Sequence, residues 1–205
     1  IRFYNIIYKL SEDIEAAKPY CAGLVLREIP TLPSSFRSTV SLQDWLAKNN
    51  ITGIACVDTR AITRHIRLKG AQNVAIVYAE KLDHALLKQA AEKLKSAPDM
   101  KGLDLARNVT TKKNYEWLET RWKLGAGYGK VKSPAYHVVA IDYGEKLNIL
   151  RSLSERGCKI TVVPAQTSAE DILKLKPDGI FLSNGPGDPA ATGTYAVPTI
   201  QKLLE

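Results

Sequence analysis

From residue 137 onward, short apolar runs alternate with amphipathic stretches. His137-Val-Val-Ala-Ile141, Lys159-Ile-Thr-Val-Val163 and Ile180-Phe-Leu182 are near-continuous apolar runs, the pattern of short strands buried on both faces. Between the first two, Glu145 to Arg156 places Leu147, Ile149, Leu150 and Leu153 at helical spacing, and Gly157 closes the stretch. Between the second and third, Ser168 opens a helix to Leu175, with Asp171 completing the capping pattern and Pro177 beyond it. The order β-α-β-α-β predicts right-handed crossovers and parallel strands, hence an α/β fold with an open, mainly parallel sheet. Loops at Asp142–Gly144, Pro164–Gln166 and Asn184–Pro189 then emerge on one carboxyl edge.

The first half is less regular. An acidic patch (Glu12, Asp13, Glu15) precedes a strand over Ala22–Leu26, and Pro30 and Pro33 mark a loop. Ser41, with Asp44 three residues on, caps a helix to Asn50 whose apolar face is Leu42, Trp45 and Leu46. A strand over Ile54–Val57 leads to a helix capped by Thr59 and stopped at Gly70. Val74–Tyr78 reads as a further strand. Asp83 caps a helix to Lys95, with Leu86, Leu87, Ala90, Ala91 and Leu94 on its buried side. Residues 96–135 lose the rhythm and end in a Gly/Lys/Pro-rich stretch. The predicted organisation is an N-terminal α/β domain over residues 1–124, a linker at 125–135, and a second domain at 136–205.

Charge adds an asymmetry. Of 29 Lys/Arg and 21 Asp/Glu, residues 136–205 hold seven and eight, so the net +8 resides entirely in residues 1–135. No zinc-finger spacing, RNP aromatics or basic zipper accompanies it, so a solvated face or an acidic partner subunit is the expected reading rather than nucleic acid. No run of eighteen apolar residues predicts a membrane span, and no secretion signal opens the chain. It begins at Ile1 rather than Met, as a piece of a longer protein would. Three scattered cysteines (Cys21, Cys56, Cys158) predict reduced thiols in a cytoplasmic protein, with Cys56 a small core residue. His65 and His84 lack a second ligand at metal spacing, and no metal site is predicted. The glycines of 125–129 fit neither phosphate-loop spacing.

The most distinctive stretch is Asn184-Gly-Pro-Gly-Asp-Pro189. Two glycines and two prolines in six residues can continue neither strand nor helix. They build a rigid loop with bare backbone N–H groups at Gly185 and Gly187, at the strand edge where open α/β sheets bind ligands. Cys158 is excluded as a nucleophile because it precedes its strand, at the opposite, amino edge.

Val139-Ala-Ile-Asp-Tyr-Gly-Glu-Lys-Leu-Asn-Ile-Leu-Arg151, Pro164-Ala-Gln-Thr-Ser168 and Leu182-Ser-Asn-Gly-Pro-Gly-Asp-Pro189 together resemble the amidotransferase domain of the small, glutamine-hydrolysing subunit of carbamoyl-phosphate synthase. Ala22-Gly-Leu-Val-Leu-Arg27, Ser34-Ser-Phe-Arg37, Val57-Asp-Thr-Arg60 with Thr63-Arg64, Gly70-Ala-Gln-Asn73 and Gly102-Leu-Asp-Leu105 resemble that subunit's N-terminal domain. The likeness covers roughly residues 14–205, and residues 1–10 match nothing in it. The resemblance implies the first half of a class I glutamine amidotransferase domain at 136–205. It also implies L-glutamine as substrate, bound at Gly185 and Gly187, and a large partner subunit that uses ATP and Mg to make carbamoyl phosphate for arginine and pyrimidine synthesis. It implies no cofactor in this subunit. The family's nucleophilic Cys, and its His and Glu, have no counterpart here and are expected beyond Glu205. A non-catalytic binding module derived from the same subunit is the alternative.

Overall fold

The computed structural model describes residues 15–16, 18–31, 35–81 and 83–205, arranged as two compact units that divide between Met100 and Lys101. The acidic residues Glu12 and Asp13, the pair Pro33–Ser34 and the unmatched stretch 1–10 lie outside the described residues.

In the first unit, β1 (Gly23–Val25) and β2 (Thr52–Ile54) pair in parallel, joined through α1 (Leu42–Lys48). Leu24, Leu42, Leu46 and Ile51 form its buried cluster. The α1 cap is reciprocal, as its spacing predicts: Asp44 N–H donates to Ser41 Oγ at 3.1 Å, and Ser41 Oγ donates to Asp44 Oδ2 at 2.7 Å. For α2 (Thr59–Lys69) the cap is Asp58 rather than Thr59, because the Asp58 carboxylate receives the Ala61 N–H at 2.9 Å. Neither α2 nor α3 (His84–Ser96) buries a residue completely. On α3, Leu86, Ala90 and Leu94 are half-covered, while Leu87 and Ala91 face solvent.

Two further expectations fail in this unit. Val74–Tyr78 forms no strand: Ile76 packs against Gly23, yet Val74 and Tyr78 are exposed and no ladder forms. An apolar run becomes a strand only when a partner takes its hydrogen bonds. Cys56 is exposed, not core, because β2 ends at Ile54 and the chain turns at Cys56 with φ +64°.

The second unit takes in residues 101–135 as well. A short α4 (Ala106–Val109) precedes β3 (Tyr115–Trp117), β4 (Glu119–Lys123) and β5 (Gly127–Lys130). Next come β6 (Tyr136–Asp142), α5 (Leu147–Ser154), β7 (Cys158–Pro164), α6 (Ala169–Lys174), β8 (Gly179–Leu182) and α7 (Pro189–Leu203). The sheet order is β3-β7-β6-β8, with β6, β7 and β8 parallel and β3 antiparallel on the edge of β7. The stretch read as a linker at 125–135 is therefore structured: β5 pairs with β4, and Ala135 N–H bonds the Gly157 carbonyl at 2.9 Å. Glycine there serves a turn, with φ +79° at Gly125 and +70° at Gly127.

Successive β6 residues point to opposite faces. Val139 and Ile141 join Val163, Ile172 and Ala196 on one side; Ala140 joins Leu150, Ile160 and Val162 on the other. Helix α5 thus covers one face, and α6 and α7 the other. The β4–β5 hairpin is fastened to α5 by Arg151, whose side chain is 6% exposed. Its Nε lies 2.9 Å from Glu119 Oε1 and its guanidinium sits 4.2 Å from the Tyr128 ring centre.

Strand β3 is tied to the carboxyl end of β6 through Glu145. The Tyr115 hydroxyl donates to Glu145 Oε1 at 3.0 Å, while Oε2 is buried with no partner among the described residues. Burial first, and then the nearby Asp142 carboxylate, push the Glu145 carboxyl up to about 7; the Tyr115 bond opposes the rise.

The folded protein therefore holds a proton at Glu145 that the unfolded chain has released, and stability should fall as pH rises from about 4.5 to about 7. Glu145→Gln should remove this fall. Its stability gain over wild type, read by urea unfolding, should be small near pH 5 and largest above pH 7; parallel pH profiles would refute the assignment. Arg151→Ala should destabilise by on the order of 2–3 kcal/mol, and Arg151→Lys should recover only part of it. An Arg151→Lys variant as stable as wild type would show that the stacked planar group contributes nothing.

Candidate functional site at the carboxyl edge

The three loops predicted to share an edge do so. Asp142 and Pro164 end their strands side by side in the β6–β7 register, and Leu182, paired with Ile141, ends β8 beside them. Ser183 fastens the loop after β8 to the one after β6. Its N–H bonds the Ile141 carbonyl at 3.2 Å, and its buried Oγ receives the Tyr143 N–H at 2.8 Å. Asp142 Oδ1 accepts the N–H groups of Gly144 (2.8 Å) and Glu145 (3.0 Å), holding that turn closed.

Glycine is demanded here by close packing. A Cβ on Gly185 would strike the Tyr143 carbonyl oxygen and approach Tyr143 Cβ to 2.9 Å. One on Gly144, at φ +123°, would meet Val109 Cγ2 at 2.8 Å and Pro186 Cδ at 3.0 Å. One on Gly187, at φ +94°, would meet the Leu103 carbonyl oxygen at 2.5 Å and the Leu105 nitrogen at 2.8 Å. Two neighbouring loops and the segment 102–111 are thus wedged together through glycine. Asn184, Gly185 and Pro186 remain exposed, and neither the Gly185 nor the Gly187 N–H meets an acceptor among the described residues.

The segment 102–111 is the part that the hydrophobic pattern did not reveal. It runs across the edge as a strap. Gly102 N–H donates to Asp188 Oδ2 (2.8 Å), and Asp188 N–H to the Leu103 carbonyl (2.9 Å). Thr111 N–H donates to Asp142 Oδ2 (2.6 Å), and Ala165 N–H to Thr110 Oγ1 (2.9 Å). Each of the three strand-end loops is therefore bonded to it. Asp104 adds the Thr192 and Tyr195 hydroxyls of α7 at 3.3 and 3.2 Å. The Gly102 N–H, together with that of Ala190 at the start of α7, holds the Asp188 carboxyl below its usual range. The only sequence signal for the strap was the Gly102-Leu-Asp-Leu105 motif.

Cys158 begins β7, paired with Tyr136, six residues from the end of the strand. That is about 20 Å from the loop edge at strand rise. His65 and His84 are exposed, and no metal-ligating group of three or more His, Cys, Asp or Glu occurs among the described residues. The edge therefore offers backbone donors and shape, and Cys158 lies away from it.

Comparison with known proteins gives two matches along the chain. Residues 5–76 match the CPSase domain of the carbamoyl-phosphate synthase small chain, and residues 139–205 match the class-I glutamine amidotransferases. The carbamoyl phosphate synthase small chain of Vibrio vulnificus is 52% identical over 198 residues, covering 95% of this chain and 51% of that protein. That of Photorhabdus laumondii is also 52% identical, over 95% and 50%. That of Escherichia coli O6:H1 is 50% identical over 196 residues, 94% of this chain and 50% of that protein. The chain spans about half the length of these curated relatives. The strap falls between these two matches, and β7, β8 and the glycine–proline loop fall within the second; with relatives 50–52% identical over 94–95% of its length, the chain belongs to the carbamoyl-phosphate synthase small chain family.

Proposed function

We propose that the protein containing this chain hydrolyses glutamine and passes the ammonia to a large, ATP- and Mg-dependent synthase chain. That chain makes carbamoyl phosphate for arginine and pyrimidine biosynthesis in the cytoplasm. The observation that carries the reading is the exposed Asn184–Pro186 turn. There the Gly185 N–H is unpaired among the described residues and borders a carboxyl edge made rigid on every side. A backbone N–H held in place binds a carbonyl or carboxylate oxygen of a small polar ligand without reorganising. No helix among the described residues is long and apolar enough to cross a membrane.

The chemistry proposed is acyl transfer. A cysteine thiolate attacks the side-chain amide carbon of glutamine, and a histidinium delivers its proton to the departing nitrogen, which leaves as ammonia. Water, deprotonated by the same histidine, then attacks the glutamyl thioester, releasing glutamate and restoring the thiolate. The cysteine, the histidine and its orienting glutamate are supplied by parts of the protein outside residues 1–205. This chain's share is to bind: the Asn184–Pro186 turn, through the Gly185 N–H, holds the substrate's polar end, and Ser183 and Asp142 hold the turn. Cys158, at the amino edge, takes no part.

In the full-length protein assembled with its large chain, Gly185→Ala should displace the turn from Tyr143. It should raise the glutamine KM about tenfold or more, as loss of one or two aligned hydrogen bonds would. Ammonia-dependent synthesis should persist. Gly179→Ala, where a Cβ meets nothing within 4 Å, is the control. An unchanged glutamine KM in Gly185→Ala would overturn the binding role. Cys158→Ser should leave glutamine turnover within error of wild type; a large loss would place the chemistry elsewhere.

A further inference from the structure

We propose that the strap 102–111 is the positioning element of this site, latched by Asp188, and that Gly187 is glycine to admit the strap rather than the substrate. The inference rests on the glutamine-site reading above and deepens it.

Three observations carry it. The space a Gly187 side chain would occupy is filled from within the chain, by the Leu103 carbonyl and the Leu105 nitrogen and Cβ, leaving no room there for a ligand. Asp188, the next residue, grips the same strap twice: its N–H bonds Leu103 and its carboxylate takes the Gly102 N–H. The strap's other end is fixed independently, by Thr111 on Asp142 and by Thr110 on the loop after β7. The glycine–proline loop is thus clamped between its own strand and a strap anchored to the two neighbouring loops. Moving the strap moves Gly187, and with it the Gly185 turn two residues away.

Asp188 also caps α7 through Oδ1 on the Ala190 N–H. The two tasks use different oxygens, so they can be separated. Asn retains a carbonyl oxygen and is as good a cap as Asp, but it has one acceptor instead of two. Asp188→Asn therefore preserves the cap and weakens the latch, while Asp188→Ala removes both. Thr110→Val is nearly isosteric and deletes only the acceptor for Ala165, loosening the far anchor.

The experiment is a double-mutant cycle in the full-length protein assembled with its large chain. It reads glutamine KM and kcat separately, ammonia-dependent synthesis, and hydrogen exchange at the Gly102 amide. The proposal expects Asp188→Asn and Thr110→Val each to raise glutamine KM several-fold, with kcat and ammonia-dependent synthesis near wild type. Asp188→Asn should also speed exchange at Gly102. Gly187→Ala should raise KM further, and adding Asp188→Asn to it should change little more, because both act by releasing the strap. Multiplicative effects of Gly187→Ala and Asp188→Asn on KM would show that Gly187 meets the substrate directly and would overturn the proposal. So would faster exchange at Gly102 with an unchanged KM, which would make the latch structural only. If wild type itself shows no glutamine dependence, the glutamine reading fails. Exchange at Gly102 then still decides the latch: unchanged exchange in Asp188→Asn refutes it.

Discussion

The burial of β6 on both faces and both edges is the constraint from which the second unit follows. Val139, Ala140 and Ile141 are completely inaccessible, and the strand is paired to β7 on one side and β8 on the other. A strand in that position has no room for a polar side chain except at its ends. Asp142, the first acid it meets, therefore stands at the carboxyl edge. Three parallel strands packed this way deliver three loops to one place, and a ligand site there is a product of topology before any special residue is added.

Convergence alone would leave a loose rim of exposed carbonyl and N–H groups. Backbone-directed polar contacts make it rigid: Ser183 on Tyr143, Asp142 on Gly144, Glu145 and Thr111, Asp188 on Gly102, and Thr110 on Ala165. All six join a side-chain oxygen to a main-chain N–H, and four of them reach a different segment. Such contacts fix backbone position, and where recognition is by backbone N–H groups, position is what counts. The Tyr115–Glu145 bond extends the same fastening to the antiparallel edge strand.

How much of this was legible depended on whether the determining partner is local. The apolar runs at 137–141 and 159–163 and the Ser168–Asp171 box declare themselves, since burial on two faces and a cap three residues away are local facts. Val74–Tyr78 carries the same composition as a strand and is not one, because pairing is decided elsewhere. Cys56 looked internal by its apolar neighbours, and a single positive φ turned it outward. Gly185 and Gly187 were legible as a rigid turn at the strand edge. The reason for their lacking side chains was not, because the atoms that crowd them belong to Tyr143, Leu103 and Leu105, two of these some eighty residues distant. Apart from the Gly102-Leu-Asp-Leu105 motif, the strap was hidden for the same reason. Its residues show no period, and its bonds are made by main-chain atoms that every residue has.

The distances along the chain bear on the order in which the unit assembles. The bond from Gly102 to Asp188 closes 86 residues, and those from Asp104 to Thr192 and Tyr195 close 88 and 91, whereas Thr111 reaches Asp142 across only 31. Closing a long loop costs more chain entropy than closing a short one, and intervening structure shortens the loop that remains. Loop-closure entropy therefore favours docking of the far end of the strap on β6 before the Asp188 latch closes. A chain still emerging from synthesis carries its sheet before it carries its binding edge.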